Sequence, residues 1–392
     1  MAIKVNTPVE DILRLFEKTV EQPYEKAKEW KKSTGKKVMG LFPMNFPEEL
    51  VHAAGILPVL LQEGDEPVTA GHAYYYPFFC GFTRSVIDQA AKGYLEVLDA
   101  VMAGDYCIQA VGAGEVLGVV LPKARSLFLR LPVGNHDWTQ ADILDGLKEI
   151  KRDVETFAEK EITTESLRQS INIYNENRSL IRKIYELKSS HPGILNAKEM
   201  VSIIKSSMIM PKEEHNAILK TLLPALTKRK TKRKGVVRVY ISASLCGAPK
   251  FDILSMIEQS GAIVVGDDLF HGYRYVSTDI NDSRDPMNAM ADYYLEKNSN
   301  VPCPTRIDPL TNWPQYLIDD MKNSGAEQLI ILMAKYCEPH MFFYPDIKEA
   351  MEKAEIPHLL IEMEHEVVSL EALRTRVEAF IEIEQTKKLK RK

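Results

Sequence analysis

The sequence predicts an α/β protein made of two Rossmann-like, doubly wound lobes with a helical segment between them. Two observations carry that expectation. Apolar strand-like runs alternate with helical patterns in both the first and the last third of the chain. The stretch between, from about Thr139 to Thr227, shows helical periodicity with few strand signals. With 392 residues, 45% of them apolar, the chain can fill the cores of two or three domains.

From about Pro8 to Lys32 the pattern is one amphipathic helix, with Ile12, Leu13, Phe16 and Val20 at helical spacing and Gly35 ending it. A strand is expected over Val38–Met44. In the helix that follows, Pro47 fits the first turn, and Glu48 and Glu49 suit the positive N-terminal end. Gly55 caps that helix, and LPVLL begins the next strand in a βαβ rhythm. Cys80 leads a helix through SVIDQAAKGYLEVL, and the strand Asp99–Gly104 delivers Cys107. Beyond the helical segment, VVRVYISAS, AIVVGDD, EQLIILMAK and PHLLIEME read as strands, alternating with helices and closed by LEALRTRVEAFIEIEQ. The expected division is an N-terminal helix (1–35), a first lobe (36–138), a helical segment with a basic linker (139–234) and a second lobe (235–392).

A net charge of −5 gives no reason to expect a general nucleic-acid role. The basic runs Lys228–Lys234 and Lys387–Lys392 read as a solvated linker and tail; a sharper reading is a surface for ligand phosphates or an acidic partner. No apolar run reaches the roughly 18 residues of a membrane span. The charged, amphipathic N-terminus does not read as a signal peptide. A cytoplasmic location is expected, where thiols stay reduced. There is no Walker A sequence. GAGEVLG (Gly112–Gly118) is one residue too long for a dinucleotide fingerprint and reads as close helix packing.

Three of the five cysteines are expected in loops that follow strands: Cys80 in YPFFCGFTRS, Cys107 in DAVMAGDYCIQA and Cys337 in LIILMAKYCEPH. In open parallel sheets ligands bind at the carboxyl ends of strands, so thiolates converging there point to a metal site in the interlobe cleft. The plainer alternative is that each cysteine is a small buried hydrophobe. No CxxC pair is present, which argues against a zinc ribbon or a thioredoxin-type site. Soft thiolates suit an iron–sulfur cluster. A [4Fe–4S] cluster normally takes four cysteines, so three would leave one iron open; zinc with one open position is the competitor. Cys246, in SLCGAP, is either a fourth ligand or a bystander, and Cys303 sits between prolines; both read as structural. Asp267 and Asp268 end a strand and either act in metal binding or proton transfer or cap the turn and pair with Arg274. Glu49 and His52, on the helix after the first strand, are candidates for proton transfer, against a structural role. Tyr74–Pro77 places aromatic rings beside Cys80.

Taken together, PMNFPEELVHAAGILPV, YPFFCGFTRS, YNENRSLIRKIYELK, IEQSGAIVVGDDLFHGYRY, VPCPTR, KYCEPH and RTRVEAFIE, in this order and spacing, resemble the benzoyl-CoA reductase and 2-hydroxyacyl-CoA dehydratase subunit family over nearly the whole chain. The resemblance implies a [4Fe–4S] cluster on Cys80, Cys107 and Cys337, with Cys246 and Cys303 not ligands. It implies an acyl-CoA substrate, a heterodimer with a related second subunit, and a separate ATP-hydrolysing iron–sulfur activator. The helical segment and chain length look similar to the smaller reductase subunit, which implies reductive dearomatisation of benzoyl-CoA or an analogue to a cyclic dienoyl-CoA. GDDLFHGYRY is equally similar to dehydratase subunits, where a ketyl radical expels the leaving group and the electron is recycled. A further reading is a non-catalytic subunit that relays electrons.

Overall fold

Two parallel sheets of four strands organise the chain. The computed structural model describes residues 7–44, 47–230, 237–243, 246–306, 308, 311–366 and 369–390, the last four by backbone alone. The first sheet contains β1 (Val38–Leu41), β2 (Leu57–Leu60), β3 (Ala100–Gly104) and β4 (Arg125–Leu129), in the order β2-β1-β3-β4. The second contains β5 (Val237–Ser242), β6 (Ala262–Asp267), β7 (Gln328–Ala334) and β8 (His358–Met363), in the order β6-β5-β7-β8. Counted from its own first strand, each sheet has the same order. Each therefore changes its direction of winding between its first and third strands: β1 and β3 in one lobe, β5 and β7 in the other. That crevice is where open parallel sheets bind ligands.

The strands read as unbroken apolar runs because helices cover both faces of each sheet. β3 and β6, for example, are buried at every position. On one face of the second sheet, α10 (Phe251–Gln259) and α15 (Leu370–Lys390) pack through Ile253, Ile257, Val377 and Ile381. The other face takes α13 (Trp313–Ser324) and α14 (Glu338–Lys353) through Trp313, Leu317, Ile347 and Met351. The first sheet shares one larger core with the helical segment and with residues from Phe270 to Cys303. That segment is four helices: α6 (Thr139–Ala158), α7 (Thr164–Ser190), α8 (Ala197–Ser207) and α9 (Lys212–Leu226). Thr163 caps α7, and Asn196 with Glu199 forms a capping box at α8.

Some expectations change. The N-terminal helix is two helices, α1 (Val9–Glu21) and α2 (Pro23–Thr34), because Pro23 has no N–H to continue the ladder and restricts Gln22. β1 ends at Leu41 rather than Met44, whose φ of 78° is left-handed. β4 is not among the expected strands. It is short, and at the sheet edge only Leu127 and Leu129 of its five residues are buried. The GAGEVLG glycines lie inside α5 (Ile108–Val120), where Gly114 packs on Ala103 of β3, as expected for close helix packing. Arg229, in the first basic run, bridges Glu199 and Glu10; residues 231–236, and the side chains of the C-terminal run, lie outside the described residues. Among the described residues no helix is long and apolar enough to cross a membrane.

Candidate metal centre

Cys80, Cys107 and Cys337 each occupy the residue that caps a helix: α4 (Gly81–Ala91), α5 and α14 respectively. Cys107 and Cys337 hold equivalent places in the two lobes, each between a third strand and the next helix. Cys80 differs from expectation. It follows a long connection from β2, with a 3-10 turn at Ala70–Ala73, and reaches the same end of the sheet as the start of α4. A helix N-terminus carries partial positive charge, which favours a thiolate.

All three cysteines line one cavity of about 70 Å³ between the lobes, and Cys246 lines it too. Burial pushes the Cys80 thiol up to about 11 and that of Cys337 to about 12; burial also raises Cys107, and raises Cys246 well above the usual range. Neighbouring sulfurs add to this at Cys80, Cys337 and Cys246. Without a cation the thiols are neutral; a soft metal would hold them as thiolates and release protons. Among the described residues no three Cys, His, Asp or Glu side chains are arranged to hold one metal ion. The four cysteines instead line a shared cavity.

Gln109, the second residue of α5, ties the cysteine loops together. Its side-chain carbonyl accepts from the Cys80 backbone N–H, and its amide donates to Tyr336 O at 2.7 Å. Its own backbone carbonyl accepts from the Tyr75 hydroxyl at 2.7 Å. Tyr336 has a φ of 66°, a left-handed conformation for a bulky residue, immediately before Cys337. Nothing in the sequence marks Gln109; its role comes from contacts between segments far apart in the chain.

A second pair crosses the lobes. His365 Nδ1 lies 2.7 Å from Glu63 Oε1 and Nε2 lies 2.7 Å from Glu66 O. Both ring nitrogens face acceptors, an arrangement that favours the imidazolium. Burial opposes that charge, but the Glu63 hydrogen bond and charge, with Glu66 O, hold the pKa above its ordinary value. This stabilisation is fully present below about pH 6.5, the ordinary histidine value, and is lost as pH rises through the higher folded value. The stability gap between wild type and His365→Gln, from denaturant melts, should therefore be widest below about pH 6.5 and narrow on going alkaline. A gap that widens with pH would show that the ring is neutral. Glycines let the lobes close on this pair: a Cβ on Gly81, beside Cys80, would sit 2.7 Å from His365 Cβ, and one on Gly247, beside Cys246, 2.1 Å from Glu63 Oε2.

The other candidates do not line the cavity. Glu49 and His52 lie on α3 (Glu48–Ala53). Buried Glu49 pairs with Arg178 at 2.7 Å, and His52 bonds Ser170 Oγ at 2.9 Å and Glu213 at 3.2 Å. Both are committed to the contact of α3 with α7 and α9, which answers their polarity without a substrate. Asp267 accepts from Tyr185 and the Tyr273 backbone, and Asp268 from Ser242, Ala243 and Trp313, with Arg274 at 3.4 Å. This is the capping and pairing arrangement. Cys303 is buried, its sulfur 3.0 Å from Thr305 Oγ1. Of the tyrosines before Cys80, Tyr75 is buried while Tyr74 and Tyr76 are exposed.

Residues 43–383 match the family model described as 2-hydroxyglutaryl-CoA dehydratase, D-component. The chain belongs to this family. The D-component family match takes in every strand but β1 and every cysteine of the cavity. Curated relatives include the (R)-phenyllactyl-CoA dehydratase beta subunit of Clostridium sporogenes, 28% identical over 94% of this chain and 97% of the relative. A benzoyl-CoA reductase subunit of Thauera aromatica is 24% identical over 90% and 92%. The (R)-2-hydroxyglutaryl-CoA dehydratase beta subunit of Acidaminococcus fermentans is 26% identical over 90% and 93%. The chain thus has distant relatives in both the dehydratase and the reductase branches.

Proposed function

We propose that this chain is one subunit of a two-subunit, oxygen-sensitive iron–sulfur enzyme acting on acyl-CoA thioesters. Cys80, Cys107 and Cys337 would hold a [4Fe–4S] cluster. The observation that carries the reading is the set of cysteines at helix N-cap positions, from both lobes, around one cavity. An all-sulfur donor set is soft and suits iron–sulfur clusters. When bound, such a cluster supplies electrons at a potential tuned by exposure and by hydrogen bonds near sulfur. The chain's own residues do the positioning: Gln109 orients the Cys80 and Cys337 loops, and the Glu63–His365 pair closes one wall.

For the reaction, the proposal is dehydration of a 2-hydroxyacyl-CoA to the 2-enoyl-CoA and water. Support comes from dehydratase beta subunits that align over nine-tenths or more of the chain. A second reading is ATP-driven reduction of benzoyl-CoA to a cyclic dienoyl-CoA. It is supported by the reductase relative and by the helical segment YNENRSLIRKIYELK. A related sister subunit would cover the apolar residues that flank the cysteines: Tyr76, Phe78, Ile108 and Phe342 are all more than half exposed. An ATP-hydrolysing activator would deliver the electrons, in the reducing cytoplasm. Beside the cysteine cavity lies a cleft of about 1140 Å³ that shares Glu63, Ala248, Lys250 and His365 with it. Its lining is richer in carboxylates than in lysines, which suits an uncharged portion of a substrate better than phosphates.

The test is anaerobic purification with the sister subunit, followed by addition of activator, ATP and reductant. About four irons and four sulfides on this chain are expected, with conversion of (R)-phenyllactyl-CoA to its enoyl-CoA. Turnover of benzoyl-CoA instead would select the second reading. A chain that takes up no iron would overturn both.

A further inference from the structure

We propose that the Thr83 hydroxyl donates a hydrogen bond to the Cys80 sulfur and thereby raises the reduction potential of the cluster this chain would hold. The inference rests on the cluster reading above and adds to it a residue that is not a ligand.

Cys80, Cys107 and Cys337 share one local design. Each precedes a helix whose third residue can reach back toward it: Thr83 in α4, Ala110 in α5 and His340 in α14. The backbone N–H of that residue favours the thiolate in all three cases, without closing a full cap hydrogen bond. The side chains differ. Ala110 has no polar atom. Both ring nitrogens of His340 are buried without a hydrogen-bond partner among the described residues, and the ring lies 5.2 Å from that of Trp313. Thr83 alone of the three brings a hydroxyl to a sulfur: its Oγ1 is 3.3 Å from Cys80 Sγ.

The charge on sulfur decides where that proton points. In the metal-free chain the Cys80 thiol is neutral, and the Thr83 hydroxyl donates to Cys80 O at 3.0 Å. The Tyr75 hydroxyl stands beside the same Thr83 oxygen, its own proton committed to Gln109 O at 2.7 Å. Ligation makes the sulfur an anion. A charged acceptor holds a donor more strongly than a neutral oxygen does, so the Thr83 proton turns to Cys80 Sγ. Thr83 is buried, which keeps water from competing and leaves the bond in a low dielectric. An added electron puts more negative charge on sulfur and strengthens the bond. The reduced form gains, and the potential rises.

The experiment is a redox titration followed by electron paramagnetic resonance, with iron analysis, on the enzyme purified anaerobically with its sister subunit. Wild type, Thr83→Val, Thr83→Ala and Thr83→Ser are compared. The signal of this chain is the one that Cys337→Ser removes. Val keeps the shape of threonine without its hydroxyl, and Ser keeps the hydroxyl.

The expected result is that Val and Ala variants retain their iron and titrate at lower potential, while the Ser variant stays near wild type. Where only one of Val and Ala retains iron, that one is read. Full iron with an unshifted potential would overturn the proposal and leave the cluster reading standing, as would a Ser variant shifted as far as the others. Loss of iron from both Val and Ala would also overturn it, since position 83 would then hold the ligand loop rather than tune the sulfur. A wild type without iron would overturn both readings.

Discussion

Replacing Cys337 with Ser is expected to abolish cluster binding: iron and sulfide should fall from about four per chain to near zero, and the visible absorbance should vanish. Cys337 stands at the junction of the strongest strand signal, β7, and the start of α14, and it enters the cavity from the second lobe. Its thiol is pushed up to about 12 by burial, with the neighbouring sulfurs adding to the effect. Only a tightly bound soft metal can keep it ionised there. A serine hydroxyl is a harder donor and ionises far less readily than a thiol. The metal-free protein should be little affected, because the substitution removes one polarisable atom and leaves the turn Ala334–Cys337, closed by a 3.0 Å backbone bond, in place. Cys303→Ser is the matched control: it changes a buried cysteine outside the cavity and should retain full iron. Iron analysis and thermal melts of the apo and loaded forms check both. A Cys337→Ser protein with an intact cluster would refute the ligand assignment.

Residues with a local physical signature were legible in the sequence; those whose role comes from distant contacts were not. LIILM announces β7 because a parallel strand covered on both faces must be apolar at every position. Its register then puts Cys337 at the carboxyl end of the sheet. The same logic finds β3 and Cys107. It fails at β4, an edge strand whose outward face is exposed and whose apolar residues are too few to stand out. It misplaces Cys80, which reaches the cavity after a long connection and not at a strand end. Glu49 and His52 drew notice as polar residues at a helix after the first strand, where sequence cannot see that Arg178, Ser170 and Glu213 wait on other helices. Cys246 was open in the sequence, as a ligand or a bystander, and the pairing of β5 with β7 shows only that it lines the same cavity as Cys337.

Gln109→Leu is expected to loosen the cysteine loops and to lower both stability and cluster retention. The side chain is almost fully buried and keeps two partners from different lobes satisfied. Leucine is close in size and fills the space but offers neither acceptor nor donor. The Cys80 N–H and the Tyr336 carbonyl would each be left without this partner, at a cost of about 1–3 kcal/mol per buried group. Tyr336 is already in a left-handed conformation that a bulky residue adopts only when its surroundings enforce it. Releasing its carbonyl lets that turn relax and carries Cys337 with it. The Tyr75 bond goes to the Gln109 backbone and should survive, so the loss is specific to the clasp between the lobes. Gln109→Glu separates the two contacts. Its carboxylate still accepts from Cys80 N–H but faces the Tyr336 carbonyl with no proton to donate at neutral pH. It should protect the Cys80 side while loosening Cys337, and it adds negative charge beside the sulfurs, which should lower the reduction potential of the cluster. Acidification that protonates the glutamate restores a donor and should bring the apo melting temperature of this variant closer to that of wild type. The measurements are the apo melting temperature, the iron lost on dilution into chelator, and a redox titration followed by paramagnetic resonance. A Leu variant that melts like wild type and holds its iron as long would show that the clasp is incidental and that the lobes position Cys80 and Cys337 by packing alone.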